Sequence, residues 1–291
     1  MIAVDWGSSS LRGYLLAGDG TILEQRANAR GILGCNGDFA AVLAELVGGW
    51  PGTILLGGMI GSRNGWIEQP YLPCPATLDD AAAALQRHHD PALPGHALWF
   101  VPGVAVAAAE ATPDVMRGEE TQLFGLAADT ARAQACLPGT HSKWATLDGG
   151  AITGFSTAMT GELFALLRQH SLLGRLMDES HDLDAAAFAR GVARSGESGG
   201  LLHHLFGVRA LGLFERLSPA EAPSYLSGLL IGHEIAELAD PAQDVHLIGS
   251  AALTGRYALA LAQRGFSTRQ APESLAARGL YRIARARDLH A

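Results

Sequence analysis

The chain has 291 residues, 48% of them hydrophobic and only 17% charged. It can therefore bury a large core, and disordered, collagen-like and low-complexity classes are excluded. Its 21 Lys and Arg stand against 29 Asp and Glu, a formal charge of -8, which argues against a nucleic-acid partner, because that affinity comes mainly from neutralising phosphates.

In chain order, residues 2–6 read as a short apolar strand ending at Gly7-Ser8-Ser9-Ser10. Residues 11–17 and 22–26 follow as strands around the turn Gly18-Asp19-Gly20-Thr21, an antiparallel meander by its punctuation. Residues 39–47 carry apolar side chains at helical spacing, 53–59 and 98–107 are apolar runs, and 119–132 reads as a helix, all around one sheet. From Cys136 the pattern begins again: the turn Gly139-Thr140-His141-Ser142, strands at 144–147 and 152–155, then a mostly helical stretch from 161 to about 239 with Thr160 as its cap. A late strand at 245–248 runs into Gly249-Ser250-Ala251-Ala252 and a helix through 264, and residues 275–289 form an amphipathic helix with an arginine-rich outer face. The result is two α/β halves, with a boundary in the region 110–135, set at 1–125 and 126–291.

Cys35, Cys74 and Cys136 lie far apart, and no CxxC pair exists, so neither a disulfide framework nor a zinc site is expected. The first residues lack the basic and apolar regions of a secretory signal. No run approaches the roughly 18–20 apolar residues of a membrane span. A cytoplasmic protein with no membrane partner is expected.

Three turns carry the chemistry. Asp5 ends a buried strand and is followed by Gly7 and the hydroxyls of Ser8, Ser9 and Ser10. Glycine lets the backbone N–H groups approach phosphate oxygens, and a carboxylate suits Mg²⁺, a hard cation. Gly139, Thr140 and His141, with Lys143 beside them, repeat that logic in the second half, and Gly249-Ser250 opens a helix whose N-terminal N–H groups suit a phosphate or a flat ligand. Each turn alone is an ordinary hairpin or packing turn; three of them at strand ends favour a nucleotide. Between them lie Glu119 and Glu120, one of which can cap a helix while the other acts as general base. Ser62-Arg63-Asn64-Gly65-Trp66 offers a guanidinium fork for a carboxylate. The G-x-S-x-G at residues 196–200 follows a helix where a nucleophile elbow needs a strand, His233-Glu234 lacks the second histidine of a zinc helix, and no Walker or Rossmann motif is present.

Together these residues resemble a known family. Asp5-Trp6-Gly7-Ser8-Ser9-Ser10-Leu11-Arg12 is similar to the first phosphate loop of sugar kinases with the actin-like ATPase fold, residues 139–144 to the second loop, and residues 248–251 to the adenosine segment. The wording of residues 58–66, 117–122, 137–144, 159–163 and 279–281 resembles the 2-dehydro-3-deoxygalactonokinase family over essentially the whole chain.

The resemblance implies an α/β fold of two RNase H-like domains with an interdomain cleft, a sugar-acid domain and an ATP domain, the last helix packing back on the first. It implies Mg-ATP-dependent phosphorylation of 2-dehydro-3-deoxy-D-galactonate at its 6-hydroxyl, in galactonate breakdown. Asp5 would organise the metal; Gly7, Ser8, Ser9, Ser10, Gly139, Thr140, His141 and Lys143 would meet the phosphates; Gly249 and Ser250 would lie by the nucleoside. Arg12, Ser62, Arg63, Asn64 and Trp66 would hold the acceptor, and Glu119 is favoured over Glu120 as base. A homodimer is compatible with this reading. The competing classes are an actin-fold kinase for a neutral or amino sugar and a non-catalytic ATP-binding regulator, with a hydrolase at Ser198 a distant third.

Overall fold

The computed structural model describes residues 1–107, 112–179 and 182–289; residues 110 and 111, at the edge of the expected boundary region, lie outside them. The chain divides into two compact units: Met1–Ala133 with Ala145–Phe155 and Pro272–Ala291, and Gln134–Trp144 with Ser156–Ala271.

The first unit opens with the expected meander, β1 (Ile2–Trp6), β2 (Leu11–Leu16) and β3 (Ile22–Asn28), followed by helix α1 (Phe39–Val47) and β4 (Ile54–Gly58). Then come β5 (Tyr71–Pro73), α2 (Leu78–Ala83), β6 (Gln86–His88), β7 (Leu98–Phe100), β8 (Gly103–Val106), β9 (Asp114–Met116) and α3 (Glu119–Leu126). Six strands form one sheet in the order β3-β2-β1-β4-β7-β6, with β4 parallel to both β1 and β7. Strands β1 and β4 are buried almost throughout and read as continuous apolar runs, as parallel strands covered on both faces do. Ile2, Val4, Trp6, Leu43, Leu56 and Phe100 form the centre of this core.

The apolar run at 98–107, expected as one strand of a single sheet, is broken at Val101-Pro102 and yields two strands in different sheets. Proline cannot donate to a ladder, so the chain leaves the large sheet there. Strand β8 instead joins a small sheet ordered β5-β8-β9. The helix expected over 119–132 stops at Leu126, because the Ala131 carbonyl accepts from Gly149 N–H at 2.8 Å and Arg132 already starts a strand.

From there run β10 (Arg132–Leu137), β11 (Ser142–Asp148), β12 (Ala151–Ala158), α4 (Thr160–His170), α5 (Ala185–Ser195), α6 (Gly200–Leu213), α7 (Ala222–Leu238), β13 (Val245–Leu247), α8 (Ala251–Gln263) and β14 (Thr268–Gln270). The second sheet has the order β12-β11-β10-β13-β14, with β13 parallel to β10 and β14. That is the order of the first five strands of the large sheet, three sequential strands and then two added beside the first. Helix α5 follows no strand, so Ser198 in the loop after it has no nucleophile-elbow context.

Helix α9 (Leu275–Ala286) packs on α3, β1 and β4 of the first unit. A Cβ on Gly279 would overlap the Thr121 carbonyl oxygen, and one on Gly125 would overlap that of Leu275, so the two backbones touch through paired glycines. In the second unit α5 and α7 cross the same way, Gly191 against the Tyr225 carbonyl and Gly228 against that of Phe188.

Candidate active site

Asp5 stands one residue from the end of β1, opposite Arg12 of β2 and the bare backbone of Gly57 in β4. Burial pushes its carboxyl up to about 6; the charge of Arg12 pulls it down and that of Glu119 pushes it up further. The turn after it is rigid: Gly7 N–H donates to the Ser10 carbonyl at 2.9 Å, and the Gly7 and Ser8 carbonyls accept from Ile32 and Leu33 at 3.0 and 3.2 Å. Only glycine fits at position 31, where a Cβ would overlap the Ser8–Ser9 backbone. Ser8, Ser9 and Ser10 are left exposed.

Strand β9 delivers Arg117 and Gly118 to the start of α3. Gly118 takes a φ of +113°, where a side chain would be strained, and a Cβ on it would stand 3.3 Å from the Gly58 Cα. Glu119 accepts from Arg117 N–H at 3.1 Å. Glu120 accepts from Gly118 N–H at 2.6 Å and is 0% exposed. Burial, then the charge of Glu119, pushes the Glu120 carboxyl up to about 8, so it is mostly neutral at pH 7. Arg117 is 7% exposed, donates from Nη2 to the Gln69 carbonyl at 2.8 Å and stacks 4.3 Å from the Tyr71 ring centre. Its Nε and Nη1, with Ser62 Oγ, Gln69 Oε1 and Glu120 Oε1, are buried with no hydrogen-bond partner.

The other acceptor candidates separate. Ser62 is buried, whereas Asn64 is exposed and the Arg63 side chain is 86% exposed, 3.4 Å from Glu68. Trp66 is an anchor of the core, stacked on Phe39 and edge-on to Phe100 and His88. Arg12 is exposed beside Asp5.

In the second unit, Gly139, Thr140 and His141 form the turn between β10 and β11, with Thr140 and His141 exposed. The start of α4 is pressed against it: a Cβ on Gly161 would overlap the Gly139 carbonyl, Glu162 N–H donates to the Thr140 carbonyl at 2.9 Å, and the His141 ring bonds the Glu162 carboxylate. Beside the turn lies a pocket of about 70 Å³ lined by Gly139, Thr160, Phe164, Leu253, Arg256 and Tyr257. Gly249, at a φ of +150°, leads to Ser250, which starts the 13-residue helix α8 without a side-chain cap, so its hydroxyl is left exposed.

Beneath that turn is a buried network centred on Glu234 of α7. The Glu234 carboxylate accepts from Trp144 Nε1 and from Tyr257 OH, each at 2.7 Å, and Tyr257 OH pairs with Ser142 at 2.8 Å. Thr160 bonds the same carboxylate, so the residue expected to cap α4 is instead its first helical residue. Lys143, expected at the phosphates, lies in β11, whose first four residues are all buried, and its own exposure is 5%. Sequence reasoning set Glu234 aside with a failed zinc motif and passed over Arg117 in favour of the glutamates beside it; only burial identifies them.

The two larger sheets each carry a hydroxyl-bearing turn at the end of their first strand and share one strand order, and the fold is of the RNase H-like, actin-like ATPase class. The 2-keto-3-deoxy-galactonokinase family profile matches residues 5–283. The 2-dehydro-3-deoxygalactonokinase of Escherichia coli K12 is 38% identical over 271 residues, 91% of this chain and 90% of its own. A crystal structure of a Sinorhizobium meliloti protein assigned to the same kinase is 37% identical and superposes with a TM-score of 0.88, covering 98% of both chains. A Porphyromonas gingivalis protein assigned as an N-acetylglucosamine kinase shares the fold at 14% identity, with a TM-score of 0.53 over 97% of this chain and 98% of its own. The chain belongs to the 2-keto-3-deoxy-galactonokinase family. It is a kinase, and membership implies use of ATP and a small-molecule acceptor. No helix among the described residues is long and apolar enough to cross a membrane.

Proposed function

We propose that this kinase transfers the γ-phosphoryl group of Mg-ATP to the 6-hydroxyl of 2-keto-3-deoxygalactonate, as a cytoplasmic step in galactonate breakdown. The observation that carries the reading is the 38% identity to the Escherichia coli kinase of that name across 91% of the chain. Phosphoryl transfer asks a protein mainly for positioning and charge neutralisation, and each unit offers part of that.

In the second unit the exposed Thr140 and His141 are suited to donate to the terminal phosphates, and the pocket walled by Phe164, Leu253 and Tyr257 suits the apolar faces of a nucleoside. Ser250 and the first N–H groups of α8 complete this half. In the first unit Ser8, Ser9 and Ser10 offer further donors. Asp5, buried near the end of β1, offers carboxylate oxygens, the donors a hard cation prefers. Asp5 would hold Mg²⁺, which when bound neutralises phosphate charge.

Glu119 is the proposed general base. It starts α3 near Asp5 and is only partly buried, whereas Glu120 is sealed, mostly neutral and bonded to Gly118. Ser62 and Arg12 are proposed around the acceptor, with Asn64 at its exposed rim; Trp66 shapes the loop through the core.

The test is coupled ADP release with Mg-ATP over 2-keto-3-deoxy acids of galacto and gluco configuration and neutral hexoses. Selective turnover of the galacto acid is expected. Turnover of a neutral sugar alone would overturn the acceptor, and nucleotide binding without any turnover would favour a regulator.

A further inference from the structure

The acceptor proposed above is an α-keto acid, and something must receive its carboxylate. Charge alone nominated Arg63, but an 86% exposed guanidinium 3.4 Å from Glu68 is hydrated and gains little from a carboxylate. Arg117 is the opposite case. It is 7% exposed, and its plane is fixed by the Tyr71 ring on one face and by the Nη2 bond to the Gln69 carbonyl at its edge. Nε and Nη1 have no acceptor.

A buried guanidinium with unmet donors is costly unless something completes it. Neither adjacent carboxyl group bonds these two donors: Glu119 accepts from Arg117 N–H and Glu120, whose carboxyl feels the Arg117 charge, from Gly118 N–H. The surroundings are shaped around the guanidinium: a Cβ on Gly61 would stand 3.2 Å from Arg117 Nη1 and 3.1 Å from Gln69 Cγ. Two further polar atoms lie buried and unpartnered in the same small region, Ser62 Oγ, next in sequence to Gly61, and Gln69 Oε1. A hydroxyl and an amide beside a cationic fork suit a carboxylate with a neighbouring keto or hydroxyl group.

We propose that Arg117, with Ser62 and Gln69, forms the subsite for the C1 carboxylate and adjoining keto group of the acceptor, and that Arg63 takes no part in it. The subsite rests on the acceptor reading given above. It belongs to the same local structure as the proposed base: Gly118 abuts Gly58, whose strand partner is Trp6, next to Asp5. One short segment, residues 117–119, therefore supplies both the anchor for one end of the acceptor and the base for its hydroxyl.

The experiment compares kcat/KM for 2-keto-3-deoxygalactonate and its C1 carboxamide, which keeps the shape and removes the charge. Wild-type enzyme is expected to prefer the acid by about 100-fold or more, the scale of a desolvated charge pair. In Arg117→Met that preference should shrink to within about threefold, through KM for the acid, with KM for ATP changed less than about twofold. Arg63→Ala should keep the preference. A preference that survives in Arg117→Met, or disappears in Arg63→Ala, overturns the assignment. Should Arg117→Met fail to fold by circular dichroism, Arg117→Lys keeps the charge and loses the fork; it should lose about tenfold of the preference, and full retention there also overturns it. Wild-type enzyme that turns over neither compound refutes the acceptor itself, and the subsite falls with it. Turnover of both compounds with equal efficiency by the wild type refutes the subsite alone.

Discussion

The two units bury polar groups in opposite ways. Beside the second unit's Gly139–His141 turn, the Glu234 carboxylate has both oxygens bonded, and Trp144, Tyr257 and Ser142 each have a partner in the same network. In the first unit five buried polar atoms, on Ser62, Gln69, Arg117 and Glu120, have none. A satisfied network rigidifies its surroundings and asks for nothing more; an unsatisfied one is costly and is kept where something else completes it. On the readings proposed above, the contrast sets scaffold apart from site by burial and pairing alone.

Substitutions at four positions probe this contrast, in descending order of effect. Glu119→Gln removes the proposed base and should lower kcat by about 100-fold to 10,000-fold with little change in KM for ATP. ADP-release kinetics check it, and near-normal turnover would take Glu119 out of the chemistry. Gly279→Ala forces a methyl group into the Thr121 carbonyl and should cost about 3 kcal/mol or more as α9 lifts from α3. A thermal melt reads it, and an unchanged Tm would mean that the helices slide apart without loss.

Glu234→Ala leaves the Trp144 and Tyr257 donors buried without an acceptor and should cost about 2–4 kcal/mol, with a raised KM for ATP. Glu234→Gln, which keeps an acceptor oxygen, should lose less. The smallest effect tests the other side of the comparison. The Glu120 carboxyl sits at about 8 when folded, against an ordinary 4.5. Below the lower value both states carry the proton. Between the two values only the folded state keeps it, so stability falls as pH rises through this window. Asp5, raised to about 6, adds to the slope only at its acidic end. Between pH 6 and 8 the wild type should therefore lose up to about 1.4 kcal/mol per pH unit that Glu120→Gln does not lose. Parallel melting curves of the two proteins across that range would remove Glu120 as the cause.

Much of this was legible in the sequence, for physical reasons. The glycine punctuation at Gly18-Asp19-Gly20 marks the first meander because a turn needs those residues whatever surrounds it, and the hydroxyl-rich turns at Ser8–Ser10 and Thr140 stand out against apolar strands. Tertiary context decides what was missed. Nothing local tells that Lys143 points inward while His141 stays out, or that Thr160 turns from its own backbone to Glu234. Arg117 and Arg63 are equal as letters; one is stacked on Tyr71 and sealed, the other waves in solvent beside Glu68. The split of the run 98–107 was readable in Pro102, but the second sheet it feeds was not.

The packing of α9 on α3 has a consequence for the order in which the chain can fold. Its partner helix ends at Leu126, whereas α9 begins at Leu275, so about half the chain intervenes. On a ribosome, which delivers residues in sequence, the unit that starts the chain must wait with the α9-facing surfaces of β1, β4 and α3 uncovered. The unit that is synthesised second can be finished first. Molecular chaperones would find their client surface at the amino-terminal end, and a nascent chain arrested near residue 271 should already resist protease over residues 156–271 while its first 133 residues remain open to attack.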